Sequence, residues 1–180
     1  MNLISQGNSI FLIIDVQEKL VNMLEESCVK DSCVKLAKTA SILNLPVIIS
    51  EQYPKGLGQT IQEIKDACVF ADYIEKTSFS IYNQDDFVEL LKSKNKKQVI
   101  LFGIETHICV LQTAFDLVNN GYEVFVVKDA CGSRNQQNKD MALNRMQQKG
   151  VQILSLEMVL FELLKSSKHE KFKEVQALIK

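Results

Sequence analysis

Short apolar runs alternate with segments of helical spacing along this chain, and this alternation restricts its fold more than any other feature. The segments that predict strands, most of them apolar runs, lie at residues 10–14, 47–49, 73–76, 99–103, 124–127 and 151–154. Continuous apolar runs of this length are typical of parallel strands that are covered on both faces. Strands that alternate with helices and are joined by right-handed crossovers predict an α/β protein, a doubly wound three-layer α/β/α sandwich around a mainly parallel six-stranded sheet.

Helical spacing of apolar residues marks much of the chain between these strands. It is found around residues 36–43, 87–91, 110–118, 138–149 and 158–164. Pro46 ends the first of these helices, and Gly121 and Gly150 stand where C-terminal caps belong. Residues 51–60 hold a proline and two glycines and predict a long loop. The Lys-rich tail at 165–180 predicts either a surface helix or a contact between subunits.

Length and charge exclude several classes of protein. A chain of 180 residues suits one domain over residues 1–180, and its formal net charge is −1. The basic cluster at 94–97 is interpreted as a solvated turn, so we expect no nucleic-acid partner. No apolar run approaches the ~20 residues of a membrane span, and residues 1–8 do not resemble a secretory signal. We therefore expect no membrane partner and a cytoplasmic location.

The cysteines and histidines indicate free thiols rather than disulfides or a metal cluster. Five cysteines are an odd number in a chain for which we expect the reducing cytoplasm. There are two histidines, and the cysteines lack the paired spacing of a zinc site. Gly56 and Gly58 follow a predicted strand but lack the rest of a dinucleotide-binding fingerprint. We expect no metal and no cofactor.

Three reactive residues stand at or just after the ends of predicted strands, namely Asp15, Lys76 and Cys109. In an open parallel sheet, ligands bind beyond the carboxyl ends of the strands, so these three side chains are predicted to converge. A thiol with a pKa near ~8.5 becomes a good nucleophile as thiolate, which the Lys76 ammonium and a helix N-terminus would favour. Asp15 would accept the thiol proton, and backbone N–H groups near Cys109 would hold an oxyanion.

Each of these residues also has a simpler interpretation. Cys109 can be a small buried apolar residue, Asp15 a helix N-cap, and Lys76 a solvated strand end. A dyad of Cys109 with His107 is disfavoured, because residues two apart on a helix do not face each other. Cys131 is interpreted as a loop thiol with a structural role.

Four motifs together resemble the isochorismatase-like cysteine hydrolases, the superfamily that contains the nicotinamidases. They are "LIIDVQ", "KTSFSIY", "GIETHICVLQTAFD" and "VVKDACGSR", in the order of that superfamily. The segment "EQYPKGLGQT" and the tail "KFKEVQALIK" resemble the isochorismatase-domain-containing subgroup. The resemblance implies that Cys109 is the nucleophile, Asp15 the base and Lys76 the third member of a triad. It also places Gln17 beside Asp15, and Phe79, Ser80 and Tyr82 after Lys76.

The resemblance implies a hydrolase that acts on a small amide-type substrate through a thioester. Gln17, with Tyr53, Phe79 and Tyr82 as pocket walls, would contact the substrate. A cis peptide bond is expected at Ile104–Glu105, and the N–H groups of Glu105 and Cys109 would form the oxyanion hole. Nicotinamidases carry a histidine-containing metal cluster after the second strand, whereas "SEQYPKGLG" has no histidine, so no metal is expected.

Two other functions remain open at this point. One is a hydrolase of a non-amide substrate such as an enol ether, and the other is a non-catalytic binding or scaffold protein of the same fold. In each case we expect a small-molecule ligand and a homo-oligomer, a dimer or larger.

Overall fold

A six-stranded sheet forms the centre of the computed structural model, which describes residues 2–180. Its strands are β1 (Ser9–Ile14), β2 (Val47–Gln52), β3 (Asp72–Lys76), β4 (Gln98–Ile104), β5 (Glu123–Gly132) and β6 (Gln152–Leu154). The strand order is β3-β2-β1-β4-β5-β6, and all five pairings are parallel. The predicted doubly wound sheet is confirmed, and it is entirely parallel.

Helices cover the two faces of this sheet. They are α1 (Glu18–Val21), α2 (Ser27–Ile42), α3 (Pro54–Leu57), α4 (Gln62–Ala67), α5 (Asp85–Ser93), α6 (Leu111–Asn119), α7 (Gln136–Gln148), α8 (Leu156–Leu164) and α9 (Phe172–Gln176). α2 packs against α4, α8 and α9, whereas α6 packs against α7 on the opposite side. The three-layer prediction is confirmed. Within residues 2–180, no helix is both long and apolar enough to span a membrane.

The strand order reverses between β1 and β4, the two central strands. Ile14, the last residue of β1, lies opposite Ser50 of β2 and Gly103 of β4. A crevice at such a reversal is where open α/β sheets bind their ligands. The residues that follow Ile14 and line the ends of β2 and β4 therefore occupy this position.

The segment 51–60 is not the long loop that its composition predicts. β2 continues to Gln52, because β3 pairs with it in the register Glu51 to Glu75 and Gln52 to Lys76. α3 then begins at Pro54, a residue that suits the first turn of a helix. The polar residues at the end of β2 do not show a strand pattern in the sequence. They are in a strand because β3, which is distant along the chain, supplies their pairing.

Cys131 lies on a strand and is not the loop thiol that the sequence predicted. β5 runs on to Gly132, and after a register irregularity Cys131 pairs with Gly103 of β4. Cys131 is fully buried, in keeping with a structural role.

The C-terminal tail packs on its own chain. α9 contacts α2, and Val175 on α9 is fully buried. This segment is therefore not a simple surface helix, because the buried side chain of Val175 packs it against the rest of the domain.

Gly103 permits the close approach of β4 to β1 at the carboxyl edge. Its φ is +134°, and a Cβ atom built there would lie 2.0 Å from the carbonyl oxygen of Ile14. Such a contact is far inside van der Waals distance, so any side chain at 103 would push apart the two strands that flank the crevice.

We expect Gly103→Ala to destabilise the fold much more than Gly121→Ala. Gly121 also has a positive φ, of +80°, but a Cβ there would meet no atom within 4 Å. The control should lose about 1 kcal/mol from backbone strain, while Gly103→Ala should lose at least about 2 kcal/mol more because of the clash. Urea unfolding midpoints measure both, and equal losses would show that the contact with Ile14 relaxes freely.

Candidate active site

A buried ion pair joins the ends of β1 and β3. The Nζ atom of Lys76 lies 2.7 Å from Oδ2 of Asp15, and both side chains are fully buried. Asp15 follows β1 with φ +51°, a left-handed backbone conformation that is uncommon for residues other than glycine. This conformation makes Asp15 a candidate functional residue, because such backbone geometry is often found at functional sites.

The remaining polar atoms of the ion pair are hydrogen-bonded. The Ser50 hydroxyl donates to Oδ1 of Asp15 at 2.6 Å. The Lys76 ammonium donates to Oε1 of Gln52 at 2.7 Å and to the carbonyl of Ser78 at 3.3 Å. A buried ion pair is tolerable when such bonds satisfy the charged groups, so β2, which lies between β1 and β3, supplies part of what stabilises the pair.

Cys109 lies on a π-helical turn, Thr106–Val110, that leads into α6. The carbonyl of Glu105 accepts hydrogen bonds from the N–H groups of Ile108 and Val110. The cysteine is 6% exposed, so a small opening reaches it. The peptide bond between Ile104 and Glu105 is cis, as predicted. The assignment of the Glu105 and Cys109 N–H groups to an oxyanion hole stays a prediction.

The three predicted catalytic side chains are close enough to interact electrostatically. The pKa of the Cys109 thiol is raised to about 12, first by burial and then by the negative charge of Asp15, while the Lys76 ammonium acts in the opposite direction. The effect of Lys76 has the predicted sign, but burial outweighs it. Burial and the Asp15 charge thus favour the thiol form of Cys109 over the thiolate.

The end of β5 holds the turn that carries Cys109. The Thr106 hydroxyl donates to the carbonyl of Gly132 at 2.9 Å, and Nδ1 of His107 lies 2.9 Å from the Ser133 hydroxyl. Oε1 of Glu105 accepts from the backbone N–H of Arg134 at 3.1 Å. His107 thus bonds to Ser133, in keeping with the sequence argument against a Cys–His dyad.

The three aromatic residues predicted to wall a pocket have different surroundings. Tyr53 lines a cavity of about 320 Å³ together with Lys76, Thr77 and Gln84. Phe79 is 53% exposed. The ring of Tyr82 packs edge-on against Phe87, with 6.1 Å between ring centroids. Substrate contact by these three residues stays a prediction.

The side chains of Ser80 and Gln17 form hydrogen bonds within the protein. The Ser80 hydroxyl accepts from the N–H of Tyr82 at 3.2 Å. The Gln17 side chain is fully buried and bonds to the backbone of Gln52 and Gly58. Its predicted contact with substrate stays a prediction, while its observed contacts hold the end of β2.

Ser50 and Gln52 were missed by the sequence analysis. They lie two residues apart near the end of β2, so their side chains are on one face, as strand geometry requires. Two polar residues spaced in this way after an apolar strand were the sequence feature that could have identified them.

Among residues 2–180, no group of three or more His, Cys, Asp or Glu side chains is placed to hold a metal ion.

The sequence model of the isochorismatase domain matches residues 9–158. The chain belongs to the isochorismatase family. It is 39% identical to isochorismatase domain-containing protein 2 of Xenopus laevis, covering 98% of this chain and 85% of that protein. It is 38% identical to isochorismatase domain-containing protein 1 of Danio rerio over 98% of this chain, but the chain spans only 62% of the length of that relative.

Three solved structures of similar chains share the isochorismatase-family fold. The MAR1 ribonuclease of Caenorhabditis elegans is 37% identical with a TM-score of 0.94, over 99% of this chain and 92% of that one. The YcaC protein of Escherichia coli, described as an octameric hydrolase of unknown specificity, is 28% identical with a TM-score of 0.93, over 98% and 89%. YcaC of Pseudomonas aeruginosa, solved with covalent acrylamide, has the same identity and TM-score, over 98% and 91%.

Opposite effects of Asp15 and Lys76 on Cys109 predict opposite mutant phenotypes. Lys76→Met removes the charge that lowers the thiol pKa, so alkylation of Cys109 by iodoacetamide should need a higher pH. Asp15→Asn removes the charge that raises it, so the alkylation profile should move to lower pH. A neighbouring charge typically changes a pKa by about 1–3.

The measurement is the rate of Cys109 labelling against pH, followed by peptide mass spectrometry. Lys92→Met, at an exposed site on α5, is the control and should leave the profile in place. Because losing one partner of a buried pair is destabilising, circular dichroism should first show that each variant is folded. Shifts of equal sign in the two variants would contradict the electrostatic assignment.

Proposed function

We propose that the chain forms a single hydrolase domain over residues 1–180 that cleaves the C–N bond of a small amide-type substrate. Cys109 is the nucleophile, Asp15 the general base and Lys76 the charge that stabilises the attacking sulfur. The observation that carries the proposal is the buried Asp15–Lys76 pair beside a buried thiol whose ionisation the two charges influence in opposite directions.

The raised pKa of the Cys109 thiol favours proton transfer during the attack rather than before it. Asp15 accepts the proton as the sulfur attacks the carbonyl carbon. The N–H groups of Glu105 and Cys109 hold the oxyanion of the tetrahedral intermediate. The amine then leaves with the proton from Asp15, and a thioester remains on Cys109. Asp15 takes a proton from water as the oxygen attacks the thioester carbonyl. The C–S bond then breaks, Asp15 returns its proton to the sulfur of Cys109, and the acid product is released.

A cavity that adjoins Lys76 favours a small, polar substrate, although Asp15 and Cys109 are not among the residues that line it. Its volume of about 320 Å³ is at the lower end of the range for ligand sites. Tyr53 supplies an aromatic wall, while Thr77 and Gln84 supply polar groups. A compact amide fits this combination better than a long apolar acyl chain.

Relatives of known structure agree with several parts of the proposal. The covalent acrylamide in Pseudomonas YcaC supports a reactive nucleophile in a protein of 28% identity, because acrylamide adds to nucleophiles through its C=C bond while its amide stays intact. The octameric state of E. coli YcaC supports a homo-oligomer here also. Free thiols at Cys33, Cys68, Cys109 and Cys131 support a cytoplasmic location.

A screen of small amides with ammonia release as the readout tests this function. We expect turnover by the wild-type protein, and a loss by a factor of about 10³ or more in Cys109→Ala, because the nucleophile is absent. Cys131→Ala is the matched control and should retain turnover if it folds, since Cys131 lies buried on β5. EDTA should not change the rate.

Mass spectrometry of the quenched wild-type reaction should show acyl-enzyme on the peptide that contains Cys109. Turnover without any acyl adduct in wild type, and with equal rate in Cys109→Ala, would contradict the thioester mechanism and the assignment of Cys109 as nucleophile. An unreactive Cys109 and no turnover would favour the binding or scaffold protein.

A ribonuclease is the second candidate, favoured by the name of the C. elegans relative at 37% identity. A net charge of −1 gives little general attraction to phosphates, so we expect no cleavage of a fluorescent single-stranded RNA. Cys109→Ala, prepared by the same route, controls for contaminating nucleases. RNA cleavage by the wild type that is lost in Cys109→Ala would overturn this expectation.

A further inference from the structure

We infer that Gln17 and Gln52 are positioning residues that hold Lys76 for its work on Cys109, and we call these two side chains the glutamine bracket. The inference rests on the proposed function and adds two residues to its site. The bracket lies at the end of β2, between the strands that supply Asp15 and Lys76.

Gln52 contacts the Lys76 ammonium directly. Its Oε1 accepts from Nζ of Lys76 at 2.7 Å, and its Nε2 donates to the carbonyl of Thr77 at 2.9 Å. The second bond fixes the orientation of the amide, because only the oxygen can then face the ammonium. Gln52 thus presents a neutral acceptor whose position is set at both ends.

Gln17 holds the backbone of Gln52. Its Oε1 accepts from the N–H of Gln52 at 2.7 Å, and its Nε2 donates to the carbonyls of Gln52 at 3.1 Å and Gly58 at 2.5 Å. β1 ends at Ile14, opposite Ser50, so the strand gives no partner to β2 beyond that point. The Gln17 amide therefore bonds to the backbone of Gln52, which β1 no longer reaches, and holds the end of β2 in place.

The bracket leaves one donor of Lys76 able to change partner. The ammonium has three N–H donors, and its acceptors are Asp15 and Gln52 at 2.7 Å each and the Ser78 carbonyl at 3.3 Å. The two short bonds fix the ammonium, and the long bond is the weakest. When the thiolate forms, the donor that faces Ser78 is the one that turns to the sulfur of Cys109.

Removal of the bracket should therefore raise the thiol pKa of Cys109. A buried ammonium that lacks an acceptor is costly, so Lys76 would lose its position or its charge in Gln52→Leu. Either change weakens the interaction that favours the thiolate. A bracket with a purely structural role would alter the unfolding midpoint but leave the ionisation of Cys109 unchanged.

The test is the pH profile of Cys109 alkylation by iodoacetamide in the full chain. We expect Gln52→Leu to move the profile by about 1 unit to higher pH, a part of the 1–3 units typical of a neighbouring charge. Gln17→Leu should move it in the same direction. Gln62→Leu is the matched control, because Gln62 is exposed on α4 and its amide bonds to Asp66. Gln52→Met serves if Gln52→Leu fails to fold, since it keeps the length of the side chain, removes the acceptor of Lys76 and should also move the profile to higher pH.

The double variant Lys76→Met/Gln52→Leu shows whether Gln52 acts through Lys76. We expect its profile to match that of Lys76→Met alone, because a positioning residue has no effect once its target is gone. Additive shifts, or an unchanged profile in the folded Gln52 variant, Gln52→Leu or Gln52→Met, would overturn the bracket. If Lys76→Met itself left the profile in place, the proposed triad would fail as well, so the two failures are distinguishable.

Discussion

The buried pair of Asp15 and Lys76 is the interaction on which the site depends. Removing two charges from water costs several kcal/mol for each ion, and their mutual attraction offsets this only with good geometry and further hydrogen bonds. Here the charged atoms are 2.7 Å apart, with Ser50, Gln52 and Ser78 completing their hydrogen bonds. β1 and β3 do not touch each other, so β2 between them must be held in register for the pair to form at all.

The pair and the surrounding burial together influence the ionisation of the Cys109 thiol. A lone ammonium would favour the thiolate, but the adjacent carboxylate opposes it, and burial raises the thiol pKa further. A protonated resting thiol is less open to oxidation than a thiolate would be. In the proposed mechanism, reactivity depends on a substrate that accepts the sulfur while Asp15 accepts the proton.

Similarity of fold does not settle the reaction of this family member. The relatives include a protein named as a ribonuclease and one described as a hydrolase of unknown specificity, although both have TM-scores above 0.9 with this chain. One fold supports many reactions, so function has to be argued from the site and its chemistry. In this chain the functional proposal rests on Asp15, Lys76 and Cys109 and on the contacts that hold them.

The sequence by itself determined the sheet, its parallel strands and the meeting of Asp15, Lys76 and Cys109 at one edge. Apolar runs and strand ends are local patterns, and the carboxyl ends of parallel strands necessarily share an edge. Only the tertiary structure showed that β2 extends to Gln52, that Cys131 lies on β5, and that Gln17 bonds to the backbone of Gln52. Each of these depends on a partner distant along the chain, such as β3 for Gln52 or β4 for Cys131. The protonation state of Cys109 was also hidden, because burial, which outweighs the charge of Lys76, exists only once the chain is folded.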